Sequence, residues 1–231
     1  SLMDIERVGQ SFLEPPSEWG TGYSLDSAST IWVDPLPSED IQCGDIAMED
    51  IFDEEHTVCP FVTAVVRQSN TQATSEVYLK LIDESGTTQF SDNFGAEAGP
   101  GGSTFCKHPA VEVTYSREEG LNGVLRVHVV WSEFTDYVLY ESWDFWYRYL
   151  EFDVTESGIN WTPTEDEIVD PPNIRSAAVD EIEPDICVLA YSNDVIIIFV
   201  RYDDSSGTWN VMSSYHDGDD MDDPDSWTSP S

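Results

Sequence analysis

The densest set of groups able to do chemistry is His216-Asp217-Gly218-Asp219-Asp220-Met221-Asp222-Asp223-Pro224-Asp225. Six aspartates fall within nine positions, with a glycine that lets the backbone fold back. A hard cation such as Ca²⁺ takes about six to eight oxygen ligands, and carboxylates this closely spaced could wrap one. Asp217, Asp219, Asp220, Asp222 and Asp223 are the candidate metal ligands. The register is not that of an EF-hand and a closing glutamate is missing, so a solvated acidic hairpin is the competing reading. Other chemical signatures are thin. His56, His108, His128 and His216 form no H-x-H or H-x-x-x-H set, so no transition-metal pattern emerges. No G-x-S-x-G elbow and no Cys–His signature is evident. Cys43, Cys59, Cys106 and Cys187 show no C-x-x-C spacing. Their even number fits either two disulfides in a secreted protein or small buried hydrophobes.

A second feature is the aromatic run Tyr137, Tyr140, Trp143, Phe145, Trp146, Tyr147 and Tyr149. Large aromatics supply binding area at low entropic cost, which suits a sugar- or protein-binding platform. Tyr140, Trp143 and Trp146 are the candidate ligand-binding residues, with Trp143 and Trp146 expected to be exposed. The competing reading is that alternate members simply fill space between packed sheets.

Charge sets the boundary on partners. There are 46 acidic residues against 9 basic, for a net charge of -37. Self-repulsion of that size opposes a compact state unless ions screen it. The charge therefore reads either as adaptation to high salt or divalent cations, or as an acidic surface that aids solubility. Nucleic acid is excluded as a partner, because phosphate binding needs clustered Lys and Arg. Anionic membrane surfaces are disfavoured for the same reason, and no apolar run approaches the ~20 residues of a membrane span. The first residues lack the basic and apolar regions of a signal peptide.

The elements that must position these groups are short strands. Runs rich in Val, Ile, Tyr, Phe and Trp recur between clusters of Gly, Pro, Asp, Asn and Ser, and helical periodicity is nearly absent. This predicts an all-β fold. The strands repeat. Gly44-Asp45-Ile46-Ala47-Met48 aligns with Pro184-Asp185-Ile186-Cys187-Val188, and His108-Pro109-Ala110-Val111-Glu112-Val113 begins a third copy between them. Repeats near 44–95, 109–168 and 184–231 are expected, with a partial copy in 1–40. The starts are 65 and 75 residues apart, more than the ~40–50 of a compact four-stranded unit. The excess is assigned to loops at 117–122, 134–146 and 169–182. The Gly-rich stretch 95–102 reads as a flexible loop and not a phosphate cradle.

Each repeat carries a turn of common logic. A Ser, Thr or Asp bonds its own backbone, a Gly takes positive φ, and an aromatic packs behind. Ser24-x-Asp26…Thr30-x-Trp32, Asp83-Glu84-Ser85-Gly86-Thr87-Thr88-Gln89-Phe90 and Thr155-Glu156-Ser157-Gly158-Ile159-Asn160-Trp161 resemble degenerate Asp-box hairpins, S-x-D-x-G-x-T-W. Asp-box hairpins are the turns of sialidase-type (BNR-repeat) β-propellers, and the resemblance to that family covers roughly residues 24–227. The closing turn of the last repeat falls on the acidic loop ending at Ser226-Trp227, while Asp203–Thr208 joins its second and third strands. The resemblance implies a single propeller domain or propeller fragment over 1–231. About three to four blades are recognisable, too few to close a ring comfortably, so other chains completing the propeller are expected partners. It implies a structural role for the turns. Cys43 and Cys106 each precede the first strand of consecutive repeats and are candidates for an inter-blade disulfide.

True sialidases hold the substrate carboxylate with three arginines and use a Tyr–Glu pair, but the N-terminal F/Y-R-I-P motif is absent here. Arg67, Arg126 and Arg201 lie near strand ends, a context for ion pairs. The expectation is a secreted or cell-surface, non-catalytic propeller for protein or glycan binding or extracellular assembly, associated with Ca²⁺ or high salt. The alternative is a sialidase-like glycoside hydrolase.

Overall fold

In the computed structural model of the chain, residues 40–51, 61–70, 75–83, 85–94, 105–137, 140–169, 180–189, 194–203, 206–217 and 227–228 are described. The partial repeat at 1–39, Cys59 and the glycine-rich stretch lie outside them. The described residues are all-β. They form three antiparallel meanders, and none of their helices is long and apolar enough to cross a membrane.

The first sheet holds β1 (Asp40–Asp50), β2 (Phe61–Asn70), β3 (Ser75–Ile82) and β4 (Thr88–Phe94), in that order. The second holds β5 (Phe105–Glu119), β6 (Asn122–Tyr137), β7 (Tyr140–Thr155) and the short β8 (Gly158–Ile159), with β9 (Glu165–Val169) also pairing β7. The third holds β10 (Glu181–Leu189), β11 (Asp194–Asp203) and β12 (Thr208–His216). The first strands lie next to one another, with β5 against both β1 and β10. Beyond β12, Thr228 donates its N–H to the Tyr215 carbonyl at 2.8 Å, which starts a further edge on this sheet.

Side chains alternate across a strand, so a sheet covered on both faces needs apolar residues at successive positions. The second sheet meets that condition. Leu125, Val127, Val129 and Trp131 of β6 join Leu150, Phe152 and Val154 of β7 in a core with Val62, Val66, Val77, Leu79 and Leu81 of the first sheet. Val130, Phe145, Tyr147 and Tyr149 point the other way, into a core with Ile186, Val195, Ile197, Phe199 and Trp227. Phe152 is wedged between Phe90 and Trp161, with ring centroids 5.4 and 6.1 Å away.

The repeat starts mark a real feature. Each first strand breaks register near its start: between Lys107 and Ala110 and between Ile182 and Asp185 at the same aligned place, and between Ile41 and Gly44 one residue earlier. The turns also behave as their residues dictate. Asp83 Oδ1 accepts the N–H groups of Ser85 and Thr87 at 2.9 and 3.0 Å, and Gly86 takes φ +80°. Thr155 Oγ1 pairs with Ser157 Oγ at 2.8 Å, and Gly158 takes φ +125°, a region closed to other residues.

Two of the loop assignments fail, and the one at 117–122 shrinks to the two-residue turn between β5 and β6. Residues 134–146 were assigned to a loop, but β6 and β7 continue as a long hairpin, paired without a break from Gly123↔Val154 to Tyr137↔Tyr140. The aromatic run that looked like loop content has high strand propensity, and its alternate members meet two different cores. The longer repeat spacing thus includes extended strands, not only loops.

Candidate functional site

The strongest departure from regular β-structure lies where β5 and β10 bulge side by side. Bulges leave a residue unpaired and re-aim its side chain. Here the residues are His108, with φ +53°, and Glu183, with φ +55°, each followed by proline. Left-handed conformations cost a non-glycine residue of order 1 kcal/mol and collect at functional sites. Lys107 Nζ sits 3.5 Å from the ring centroid of Trp143. Trp143 is half-buried, tilts against Phe134 at 5.4 Å, and its backbone N–H donates to Asp180 Oδ1 at 3.1 Å. Burial pushes the Lys107 ammonium pKa down, while Asp180 and Glu183 pull it up against that shift. Burial likewise lowers the His108 imidazole, helped by Lys107 and opposed by Glu183. The result is a partly dehydrated cation on an aromatic face, ringed by carboxylates. Such a surface can hold a ligand by stacking and by charge-assisted hydrogen bonds.

A second polar set is buried between the second and third sheets. His128 Nδ1 and the Tyr147 hydroxyl share a hydrogen bond of 2.7 Å. Desolvation, with Arg126 adding to it, lowers the His128 pKa to about 3. Tyr147 is pushed well above the usual phenol range, first by burial. Arg126 Nε donates to Glu151 Oε1 at 2.7 Å, and the Tyr149 hydroxyl bonds the same oxygen. The set is neutral at its centre and paired at its edge, but only partly satisfied, since the buried His128 Nε2 has no hydrogen-bond partner among the described residues.

Arg126, Arg148 and Arg201 are committed to different places. Arg126 pairs with Glu151 on the face toward the third sheet. Arg148 lies on the opposite face and bridges Asp92 of β4 and Asp166 of β9 at 2.7 and 2.8 Å. Arg201 binds Glu181 within the third sheet, Nε to Oε1 at 2.9 Å.

The structure places the other predicted residues as follows. Trp146, expected to be exposed, is 5% exposed and packs in the core between the first and second sheets, because its position on β7 has the parity of Leu150 and Phe152. Tyr140 opens β7, with its side chain outside the described residues. Asp217 is exposed, its Oδ1 3.9 Å from His216 Nδ1. Asp219, Asp220, Asp222 and Asp223 lie outside the described residues. Among the described residues no group of three or more His, Cys, Asp or Glu is arranged to hold a metal. Cys106 is buried, with its Sγ 3.7 Å from Glu133 Oε2. The Cys43 side chain lies outside the described residues. Lys107, Asp180 and Glu183 were not singled out in the sequence. The signal that could have found them is the pre-proline pair His108-Pro109 and Glu183-Pro184 at aligned repeat starts.

Compared with known proteins, the chain matches no family model, no curated protein and no solved structure.

Proposed function

We propose that the chain is a non-catalytic binding module of β-propeller type, secreted or on the cell surface, whose partner is a protein or glycan. The observation that carries this reading is the side-by-side arrangement of β1, β5 and β10, each with a bulge near its start, in three successive meanders. In a propeller the first strand of each blade runs along the axis, and bulges at one end of those strands form a rim where ligands are held. The cluster of Lys107, Trp143, Asp180 and Glu183 stands at that rim. The separate commitments of Arg126, Arg148 and Arg201 support binding over the hydrolase alternative, which needs three arginines converging on one carboxylate. The acidic surface is read as adaptation to high salt or to divalent cations such as Ca²⁺, with the Asp217–Asp223 loop the first place to look for one.

A glycan array probed at high salt with Ca²⁺ tests the binding reading. A ligand retained by the wild type should bind about tenfold more weakly to Trp143→Ala, the loss typical of an aromatic anchor. Unchanged affinity would move the site elsewhere, and turnover of an arrayed sialoside would overturn the non-catalytic reading. The melting temperature should rise strongly with added KCl, NaCl or CaCl₂, because screening relieves repulsion among 46 acidic groups. A flat response would remove the salt adaptation.

A further inference from the structure

Among the described residues, each end sheet exposes large apolar side chains on one face. β11 carries the run Val195-Ile196-Ile197-Ile198-Phe199-Val200, the pattern of a strand covered on both sides. Val195, Ile197 and Phe199 are buried against the second sheet, but Ile198 is 46% exposed. Beside it on β12, Val211 is 73% exposed, and Trp209 and Tyr215 share that face. At the other end, β1 turns Ile46 and Met48 outward, 48% and 59% exposed. Tyr78 and Lys80 of β3 lie on the same outer face.

We propose that a second copy of this chain covers both faces. The outer face of the third sheet in one copy packs on the outer face of the first sheet in the other. The same contact made in the reverse sense closes a ring of six sheets. The inference rests on the propeller-type reading above and adds its partner.

Three observations favour a second copy. The contact continues an interface the chain already makes twice, first sheet on second and second on third. In the first of these, Asp45 Oδ1 accepts its neighbour Ile46 N–H at 2.8 Å, while Oδ2 accepts Val111 N–H of the adjoining first strand at 3.0 Å. Asp185 stands at the aligned place in β10 and accepts Ile186 N–H at 2.9 Å, which repeats the first half of that clasp. The area also suits a dimer. Three strands of nine or ten residues cover about 30 by 14 Å, roughly 400 Å². Closure uses both faces at once, so each copy would bury roughly 800 Å², the standard size for a stable interface. Finally, Lys80 is one of only two lysines and lies on the outer face of the first sheet, whereas Asp185 lies on the outer face of the third, its neighbour Ile186 facing the core. Each copy carries a net charge of -37, so the ring forms when salt shortens the screening length from about 10 Å at 0.1 M to about 3 Å at 1 M.

Sedimentation velocity of the full chain in KCl from about 0.1 to 1 M tests this. The expected species at high salt has twice the 26.0 kDa mass of one chain. Val211→Glu and Met48→Glu alter exposed positions, so each should keep the wild-type far-ultraviolet spectrum while weakening the dimer about tenfold or more. The head-to-tail geometry makes a sharper demand. A mixture of the two variants can form one contact between unaltered faces, so it should recover dimer that neither variant forms alone. A wild-type chain that stays monomeric at all salt concentrations overturns the proposal, as does a dimer indifferent to both substitutions. Glycan binding by such a monomer would leave the binding reading standing.

Discussion

His128 offers a test of the buried interface between the second and third sheets. The imidazole is fully buried, opposite Glu112 and Tyr149 in register, and bonded to the Tyr147 hydroxyl. Across the interface, Trp227 packs edge-on against Tyr147 and His216. Burial lowers the His128 pKa from 6.5 to about 3, with Arg126 acting in the same direction. In the unfolded chain the ring takes a proton below about pH 6.5, while in the folded chain it resists until about pH 3. Its neutral burial is therefore fully compatible with stability above pH 6.5, and stability falls as pH drops through the window from 6.5 to 3. At about 1.4 kcal/mol per pKa unit, the loss reaches about 2 kcal/mol at pH 5 and about 3 kcal/mol at pH 4.

The exposed carboxylates act oppositely, because their protonation reduces self-repulsion, so the wild-type curve alone is ambiguous. His128→Asn keeps an amide near the Nδ1 position for Tyr147 but does not titrate. The informative quantity is the difference between the two proteins in urea unfolding, measured at constant high ionic strength from pH 7 to 4. The difference should shrink by about 2 kcal/mol on reaching pH 5. Parallel curves would refute the placement of a neutral, buried imidazole in this interface.

Two other outcomes follow from the packing and the turns. Phe152→Ala removes a fully buried ring from between Phe90 and Trp161 and should cost about 3 to 5 kcal/mol in urea unfolding; a loss below about 1 kcal/mol would contradict the first core. Asp83→Ala strips the acceptor from two turn N–H groups and from the Gln89 amide, for a loss of about 1 to 2 kcal/mol. Hydrogen bonds outweigh burial to hold the Asp83 carboxyl below 3.8, so this contribution is present above that pH and disappears as pH falls through the lowered value. Asp83→Asn should restore part of the loss at pH 7, and no difference between the Ala and Asn variants would argue against the turn geometry.

Local chemistry made much of the fold legible. The residues of β3, Ser75–Ile82, alternate cleanly, which is the period-two signature of a strand. Asp83-Glu84-Ser85-Gly86 signals its turn by containing both the acceptor and the residue able to take positive φ. The repeat starts at 44, 109 and 184 flagged the three bulges without revealing what they were. The aromatic run misled because propensity says that Trp143–Tyr149 can form a strand but not whether the hairpin stops at Phe134 or continues to Tyr137. The candidate site was the least legible part. Trp143 stands out in the aromatic run, but Lys107 and Asp180 carry no motif that ties them to it.

The sequence by itself determined the all-β class, the turn chemistry and the two-faced apolar strands, because those properties arise from a residue and its near neighbours. Only the tertiary structure decided which faces are covered. A period of two assigns each side chain to one side of its sheet, but the neighbour on that side is set by ladder register and by the order in which sheets stack. That is why Trp146 is core while Trp143, three residues away with opposite parity, meets Lys107 beside the β5 bulge. It is also why Ile197 and Ile198 have equal hydrophobicity and unequal burial.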